Sequence, residues 1–286
     1  MQRLLIVGAG DVARRTLPLL LGRYRLYALV RSAERAAAWR ASGVTPILAD
    51  LDDRRSLSRI AGLADLVLHF APPPNQGVRD ARTQALLAAL GRGKSLARRL
   101  IYVSTTGVYG DCAGAVIDET RRLNPESPRA ARRADAEQRL RAASLPTLIL
   151  RAPGIYATDR LPLERLKAGT PALRAEEDVF TNHIHADDLA AACVRALTRG
   201  GNKRCINVVD DSDLQMAAYF DLVADHFKLP RPPRVNRAEL ARQLSPMQIS
   251  FMRESRRISN RRMKSELGLR LRYPTVAATL SGIPVP

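Results

Sequence analysis

The chain opens with MQRLLIVGAG, an apolar segment that runs directly into a glycine turn, and a helical pattern follows at once. The spacing is Gly8-x-Gly10-x-x-Ala13. Gly8 permits a tight turn, Gly10 lets the backbone approach a pyrophosphate, and Ala13 lets the helix pack close to the strand. The free N–H groups at the helix start, around Asp11 and Val12, would hold the phosphates. The pattern predicts a dinucleotide site; a glycine turn without a ligand is the alternative.

Strand and helix patterns then alternate along the first half of the chain. The predicted strands are Leu4–Val7, Arg25–Val30, Thr45–Ala49, Leu66–Ala71, Leu100–Ser104 and Thr147–Leu150, and the predicted helices are Val12–Leu21, Ala33–Ser42, Arg54–Ile60, Ala81–Leu90 and Ala131–Ala143. Strands separated by helices form parallel βαβ units that bind ligands at the carboxyl ends of the strands. We therefore predict an α/β fold of the Rossmann type, with a doubly wound parallel sheet.

Loop residues become frequent after Arg151, although further helix patterns and one more strand, Cys205–Val209, follow. Because the regular alternation of strands and helices ends there, we predict that the chain has two regions. Residues 1–150 form the dinucleotide-binding core, and residues 151–286 form a small substrate-side lobe interleaved with late elements of that core.

The chain is strongly basic, with a formal net charge of +18. Such a charge could indicate nucleic acid, because phosphate contacts dominate that affinity. However, the arginines are scattered among alanines and leucines, and aromatic residues make up only 5% of the chain, so no stacking array accompanies the charge. We expect attraction toward anionic small molecules instead.

The three cysteines have neither the number nor the spacing of a disulfide framework or a metal site. No apolar run approaches the length of a membrane span, and no leader-like segment precedes the first strand. These features predict a cytoplasmic protein without a metal centre and without a membrane partner.

Four segments carry a resemblance to a known family: VSTTGVYG at 103–110, ADL at 49–51, RAPGIY at 151–156 and NHIHADDL at 182–189. They resemble motifs of the extended short-chain dehydrogenases/reductases, the NAD(P)-dependent epimerase/dehydratase group. The resemblance implies an oxidoreductase or epimerase that uses NAD(P), acts on a small-molecule substrate and is able to form a homodimer. It also aligns Thr105 with the catalytic Ser/Thr of the family, which binds the substrate carbonyl or hydroxyl.

Two departures from the family pattern bear on activity. Family members carry a Tyr-x-x-x-Lys pair, whereas the matching positions here are Arg129 and Arg133, and arginine does not deprotonate in proteins. The glycine motif is GxGxxA rather than TGxxGxxG. Both departures resemble the atypical branch, whose members often bind cofactor but have undefined or lost activity. Tyr109 and Tyr156 are candidate replacements for the missing acid.

The end of the second predicted strand indicates which cofactor binds. Arg31 stands where readers of NAD carry an acidic residue, and a cation there suits a 2′-phosphate. Ser32 and Arg35 follow, so we predict NADP(H), with NAD(H) left open. The remaining predicted cofactor residues follow from the resemblance and from loop positions; they are Asp50, Leu51, Ala71, Pro72, Ser104, Arg133 and Pro153.

The combined prediction is an NADP(H)-dependent oxidoreductase or epimerase that acts on a small substrate, with an anionic substrate as one option. Arg151, Arg160 and Arg174 are candidate contacts for such an anion, or surface residues. The alternative is a catalytically inactive NADP(H)-binding regulatory or scaffold protein, and RNA binding ranks third.

Overall fold

Seven parallel strands form the central sheet of the protein. The structure is a computed structural model that describes residues 1–284, apart from the side chains of Pro246, Met247 and Phe251. The strands are β1 Arg3–Val7, β2 Arg25–Val30, β3 Thr45–Leu48, β4 Leu66–His69, β5 Arg99–Thr105, β6 Thr147–Ala152 and β7 Arg204–Asn207. Their spatial order is β3-β2-β1-β4-β5-β6-β7, and every neighbouring pair is parallel. This arrangement confirms the predicted fold class.

The helices are α1 Asp11–Leu20, α2 Ala33–Ala41, α3 Ala81–Leu90, α4 Pro128–Ala142, α5 Leu163–Lys167, α6 Ala186–Ala196, α7 Met216–His226, α8 Arg237–Gln243, α9 Pro246–Phe251, α10 Arg261–Glu266 and α11 Val276–Ser281. Helix α4 begins before the predicted Ala131, because the Ser127 hydroxyl accepts from the Ala130 N–H and Pro128 occupies the first turn. Of the predicted helix Arg54–Ile60, only Ser56–Ile60 is helical, as a 3₁₀ turn.

Both faces of the sheet are buried, as the apolar strands predict. Successive side chains of a strand point to opposite faces, so Leu4 and Ile6 pack with α1, α2, α6 and α10, whereas Leu5 and Val7 pack with α3 and α4. None of these four side chains is exposed to solvent. Two layers of helices thus hold the carboxyl ends of the strands at one rim.

The strand order reverses between β1 and β4, and such a reversal opens a crevice at the carboxyl ends of the two strands. Gly8 follows β1 there with a φ of +95°, in the region that favours glycine. A Cβ on Gly8 would lie 2.3 Å from the backbone nitrogen of Ala71, which follows β4. Only glycine lets these two backbones approach so closely.

A third apolar cluster lies beyond the sheet and contains residues from α5, α7, α8 and α11. Short strands connect it to the core: Gly154–Tyr156 pairs in parallel with His183–His185. The chain after residue 151 also supplies β7, α6 and α10 to the central sheet and its helical layers. The second half of the chain is therefore shared between the two regions.

Candidate functional site

A cavity of about 520 Å³ opens at the carboxyl ends of the central strands. It is lined by the glycine turn, the ends of β2 and β5, and the loops after β3, β4 and β6. The predicted cofactor residues that line it are Gly8, Gly10, Asp11, Val12, Ala13, Arg31, Arg35, Asp50, Leu51, Ala71, Pro72, Ser104, Arg133 and Pro153. Ser32 is not among them, because its hydroxyl caps α2 by accepting from the Arg35 N–H at 3.3 Å.

The start of α1 forms one wall of this cavity. Gly10 precedes the helix, and the helix has no side-chain cap. A Cβ built on Gly10 meets nothing within 4 Å, so the space beside it is open to a ligand. Uncapped N–H groups beside open space fit a phosphate. The geometry therefore fits the pyrophosphate of a dinucleotide.

Two exposed guanidinium groups lie where β2 ends. Arg31 follows the strand directly, and Arg35 lies on the first turn of α2; both line the cavity. Arg82 of α3 lies nearby and is a lining residue that sequence reasoning missed. It pairs with Asp52 at 2.6 Å and donates to the Pro72 carbonyl at 3.2 Å, and this pairing lowers the pKa of Asp52. Arg82 thus joins the loops after β3 and β4.

Thr105 lines the cavity at the end of β5. Its hydroxyl oxygen accepts from the Gly107 N–H at 3.2 Å. Within the described part of the chain, no acceptor takes the proton of this hydroxyl. Thr105 can therefore donate a hydrogen bond to an oxygen atom in the cavity.

Arg133 reaches the same end of the cavity from α4. Its Nη1 donates to the Tyr102 hydroxyl and to the Val103 carbonyl, both at 2.9 Å. These two contacts fix the guanidinium beside β5. Arg129 lies one helical turn earlier, is exposed and does not line the cavity.

The two tyrosines proposed as acids lie elsewhere. Tyr109 is buried and donates to Asn207 Oδ1 at 2.8 Å, and burial raises the pKa of its phenol to about 12. The Tyr156 hydroxyl lies 3.0 Å from Thr279 Oγ1, and burial raises its pKa as well. Neither tyrosine lines the cavity. The described lining residues include no phenol, imidazole, thiol or lysine.

His69 ends β4, but its side chain is buried and does not line the cavity. Its Nε2 lies 3.0 Å from Thr83 Oγ1. Burial, reinforced by the Arg133 charge, lowers the pKa of His69 to about 3. The imidazole is therefore neutral near pH 7 and forms part of the buried core. His185 caps α6, because its Nδ1 accepts from the Asp187 N–H at 3.2 Å.

Arg151 and Arg160, both predicted as candidate contacts for an anionic substrate, have different surroundings. Arg151 is buried at the end of β6 and pairs with Glu137. Arg160 lines the cavity and pairs with Asp11 at 3.1 Å. Arg174 is exposed and does not line the cavity. A contact such as the one between Arg160 and Asp11 carries no sequence signal, since 149 residues separate the two.

Residues 1–284 contain neither a metal-binding cluster nor a membrane-spanning helix. No group of three or more His, Cys, Asp or Glu side chains there could hold a metal ion. None of the described helices is both long enough and apolar enough to cross a bilayer.

Known proteins are similar to this chain in sequence or in fold. The 4-hydroxy-2-methyl-3-oxo-4-farnesyl-3,4-dihydroquinoline-1-oxide ketoreductase of Stigmatella aurantiaca is 26% identical over 241 residues, which cover 76% of this chain and 71% of that protein. A conserved protein of unknown function from Silicibacter pomeroyi superposes with a TM-score of 0.79 at 30% identity, over 98% of this chain and 97% of that chain. A UDP-glucose 4-epimerase from Thermotoga maritima, solved with UDP-glucose, superposes with a TM-score of 0.76 at 18% identity, over 97% of this chain and 96% of that chain.

The family model that matches is described as NAD(P)H-binding, and it covers residues 8–200. That range begins at the first glycine of the turn and ends after α6, so it includes five of the seven sheet strands, β2 to β6, and all the described lining residues of the cavity. The chain therefore belongs to the NAD(P)H-binding family and has the fold of the epimerase/dehydratase-like short-chain dehydrogenases/reductases.

Proposed function

We propose that the protein is an NADP(H)-dependent reductase of small carbonyl compounds. The observation that carries the proposal is the Thr105 hydroxyl, which accepts from Gly107 and keeps its own proton for an oxygen atom in the cavity. The similarity to a ketoreductase favours reduction over epimerisation.

The preference for NADP(H) rests on the end of β2. Arg31 and Arg35 line the cavity there, and no acidic residue stands directly after the strand to accept from a ribose 2′-hydroxyl. A guanidinium that meets a 2′-phosphate forms a charge-assisted hydrogen bond, which is worth roughly 1.5–3 kcal/mol. That energy is large enough to decide between the two cofactors.

The chain's own groups divide the chemistry as follows. Thr105 donates to the substrate carbonyl oxygen and orients it, while Arg133 places a permanent positive charge near the same end of the cavity. Arginine stays charged, so it stabilises a developing oxyanion or the ribose hydroxyls without giving up a proton. A bound reduced nicotinamide would supply the hydride. Because the described lining offers no phenol or imidazole, the proton reaches the product alkoxide from water.

The first test addresses turnover. NADPH oxidation is followed with a panel of small ketones and quinone-like carbonyls, for the parent protein and for Thr105→Ala and Thr105→Ser. We expect measurable turnover that Thr105→Ala lowers at least tenfold in kcat and that Thr105→Ser retains. The proposal fails if Thr105→Ala turns over as fast as the parent.

A second candidate function is NADP(H) sensing without catalysis. It is favoured by the two arginines in the Tyr and Lys positions and by the burial of Tyr109 and Tyr156 away from the cavity. Tight NADPH binding with no turnover on any carbonyl of the panel would select this function over the reductase.

A further inference from the structure

Five charged side chains form a network at the mouth of the cavity, where α1 begins. Arg15 contacts three carboxylates: its Nε lies 3.0 Å from Asp11, and its two Nη atoms lie 2.9 Å from Asp159 and 2.9 Å from Asp187. Arg160 adds a second cation, with Nη1 3.1 Å from Asp11. The network joins α1, the start of α6 and the turn Thr158–Arg160.

Asp11 creates an electrostatic problem for an anionic ligand. It is the first residue of α1 and lines the cavity beside Gly10. A pyrophosphate held by the start of α1 would lie close to this carboxylate, and like charges at short range repel each other. A nearby cation that offsets the Asp11 charge therefore favours binding at this position.

Arg160 is placed to supply that cation. Of the two arginines that contact Asp11, Arg160 lines the cavity and Arg15 does not. The donors of Arg15 are taken up by three aspartates. Within residues 1–284, Asp11 is the one acceptor in contact with the Arg160 guanidinium, which carries five N–H donors. Arg160 thus has donors left for a second anion.

We propose that Arg160 is a phosphate-binding residue, which bridges the Asp11 carboxylate and the pyrophosphate of the dinucleotide. The turn Thr158–Arg160 then forms the wall of the site opposite the start of α1, and Asp11 is a positioning residue that holds the guanidinium at the mouth. The proposal rests on dinucleotide binding at α1. In this proposal Arg160 binds the pyrophosphate of the cofactor and does not contact its adenosine end.

The experiment compares a ligand that has the pyrophosphate with one that lacks it. Calorimetry gives the Kd of NADPH and of adenosine 2′-monophosphate for the parent, Arg160→Ala, Asp11→Asn and the double variant. Arg174→Ala is the matched control, because Arg174 is an exposed arginine of the same lobe outside the cavity. A thermal melt of each variant reports folding.

We expect Arg160→Ala to weaken NADPH at least tenfold and to change adenosine 2′-monophosphate by less than twofold. In the Asp11→Asn background the same substitution should weaken NADPH by less than threefold, since the charged acceptor that holds the Arg160 guanidinium at the mouth is gone and no carboxylate remains for it to offset. Equal losses for both ligands, an effect no larger than that of Arg174→Ala, or the same loss in both backgrounds would overturn the assignment. A parent protein that binds neither ligand would refute the dinucleotide site itself and, with it, the proposed function.

Discussion

The Arg151 guanidinium and the Glu137 carboxylate form a buried ion pair, with 2.6 Å between Nη2 and Oε2 and each side chain only 1% exposed. Glu137 also accepts from the Ser104 hydroxyl at 2.7 Å, and the Arg151 guanidinium lies 4.7 Å from the centroid of the Tyr109 ring. The pair therefore joins α4, β6 and the end of β5 at Ser104, the residue before Thr105. Neither Glu137 nor Arg151 lines the cavity, so the pair holds elements that surround the cavity without entering it.

Removing one partner of this pair should destabilise the fold. Glu137→Ala leaves the Arg151 charge buried without its acceptor, which typically costs about 3–5 kcal/mol. Urea unfolding should show this loss as a lower midpoint. The control is Glu164→Ala, which breaks an exposed pair with Lys167 and should change the free energy of unfolding by less than about 1 kcal/mol. Equal effects of the two substitutions would contradict this account.

The two glycines of the turn should respond differently to substitution. Gly10→Val places its side chain in the open cavity, so we expect a folded protein that no longer binds NADPH. Gly8→Ala forces a Cβ against the Ala71 backbone at a positive φ, so we expect loss of stability. Calorimetry and thermal melts separate these outcomes. If Gly10→Val bound NADPH with unchanged affinity, the assignment of the dinucleotide site to this turn would be wrong.

Cofactor preference should depend on Arg31. We expect Arg31→Ala to weaken NADPH about tenfold or more, because a charge-assisted hydrogen bond is lost, and to leave NADH nearly unchanged. Arg40→Ala is the control, since Arg40 is exposed on the last turn of α2 and lies outside the cavity. Equal losses for both cofactors, or tighter binding of NADH by the parent, would favour NAD(H).

Installing the missing pair tests whether position 129 reaches the reacting atoms. In Arg129→Tyr with Arg133→Lys, a phenol and an amine stand one helical turn apart, and a positioned acid contributes about a hundred- to ten-thousand-fold. Because residue 129 does not line the cavity, we expect a gain in NADPH-dependent turnover below that range, which a further Thr105→Ala removes. A parent that is already fast, and whose rate Arg129→Ala leaves unchanged, would show that another group moves the proton.

The Asp210 carboxyl should contribute stability that is lost as pH rises from about 4 to 7. Burial raises the pKa of Asp210 to about 7, and its Oδ2 is buried without a hydrogen-bond partner among the described residues. At this carboxyl the folded state therefore binds more protons than the unfolded state in this interval, so the contribution of Asp210 to the free energy of unfolding falls with pH. The size of the shift sets an upper limit of about 4 kcal/mol.

Asp210→Asn tests this dependence. The variant should be more stable than the parent at pH 8, and the difference should shrink toward pH 4. His69 and His183, whose pKa values are lowered by burial, give the opposite slope at acid pH, so the difference between the two curves isolates Asp210. A difference that does not vary with pH would contradict the buried-acid account.

The sequence by itself determined the features that depend on neighbouring residues. The apolar runs and the helical periodicity predicted β1 to β6, because burial on both faces of a sheet imposes that pattern locally. The spacing of Gly8 and Gly10 predicted the turn for the same reason: a positive φ and a close backbone approach restrict the residue type at a single position. Helix α4 begins at Pro128 rather than at the predicted Ala131, because Ser127 caps the helix and Pro128 occupies its first turn.

Only the tertiary structure decided which side chains meet. The sequence offered Tyr109 and Tyr156 as phenols within segments that resemble motifs of the family, but packing places their hydroxyls against Asn207 and Thr279. The contact of Arg160 with Asp11 likewise joins residues 149 positions apart. Such contacts depend on how the helices and loops pack against the sheet. The direction in which a long side chain points is determined by all of its neighbours together. Local patterns therefore fix where the site is, whereas packing fixes which groups face it.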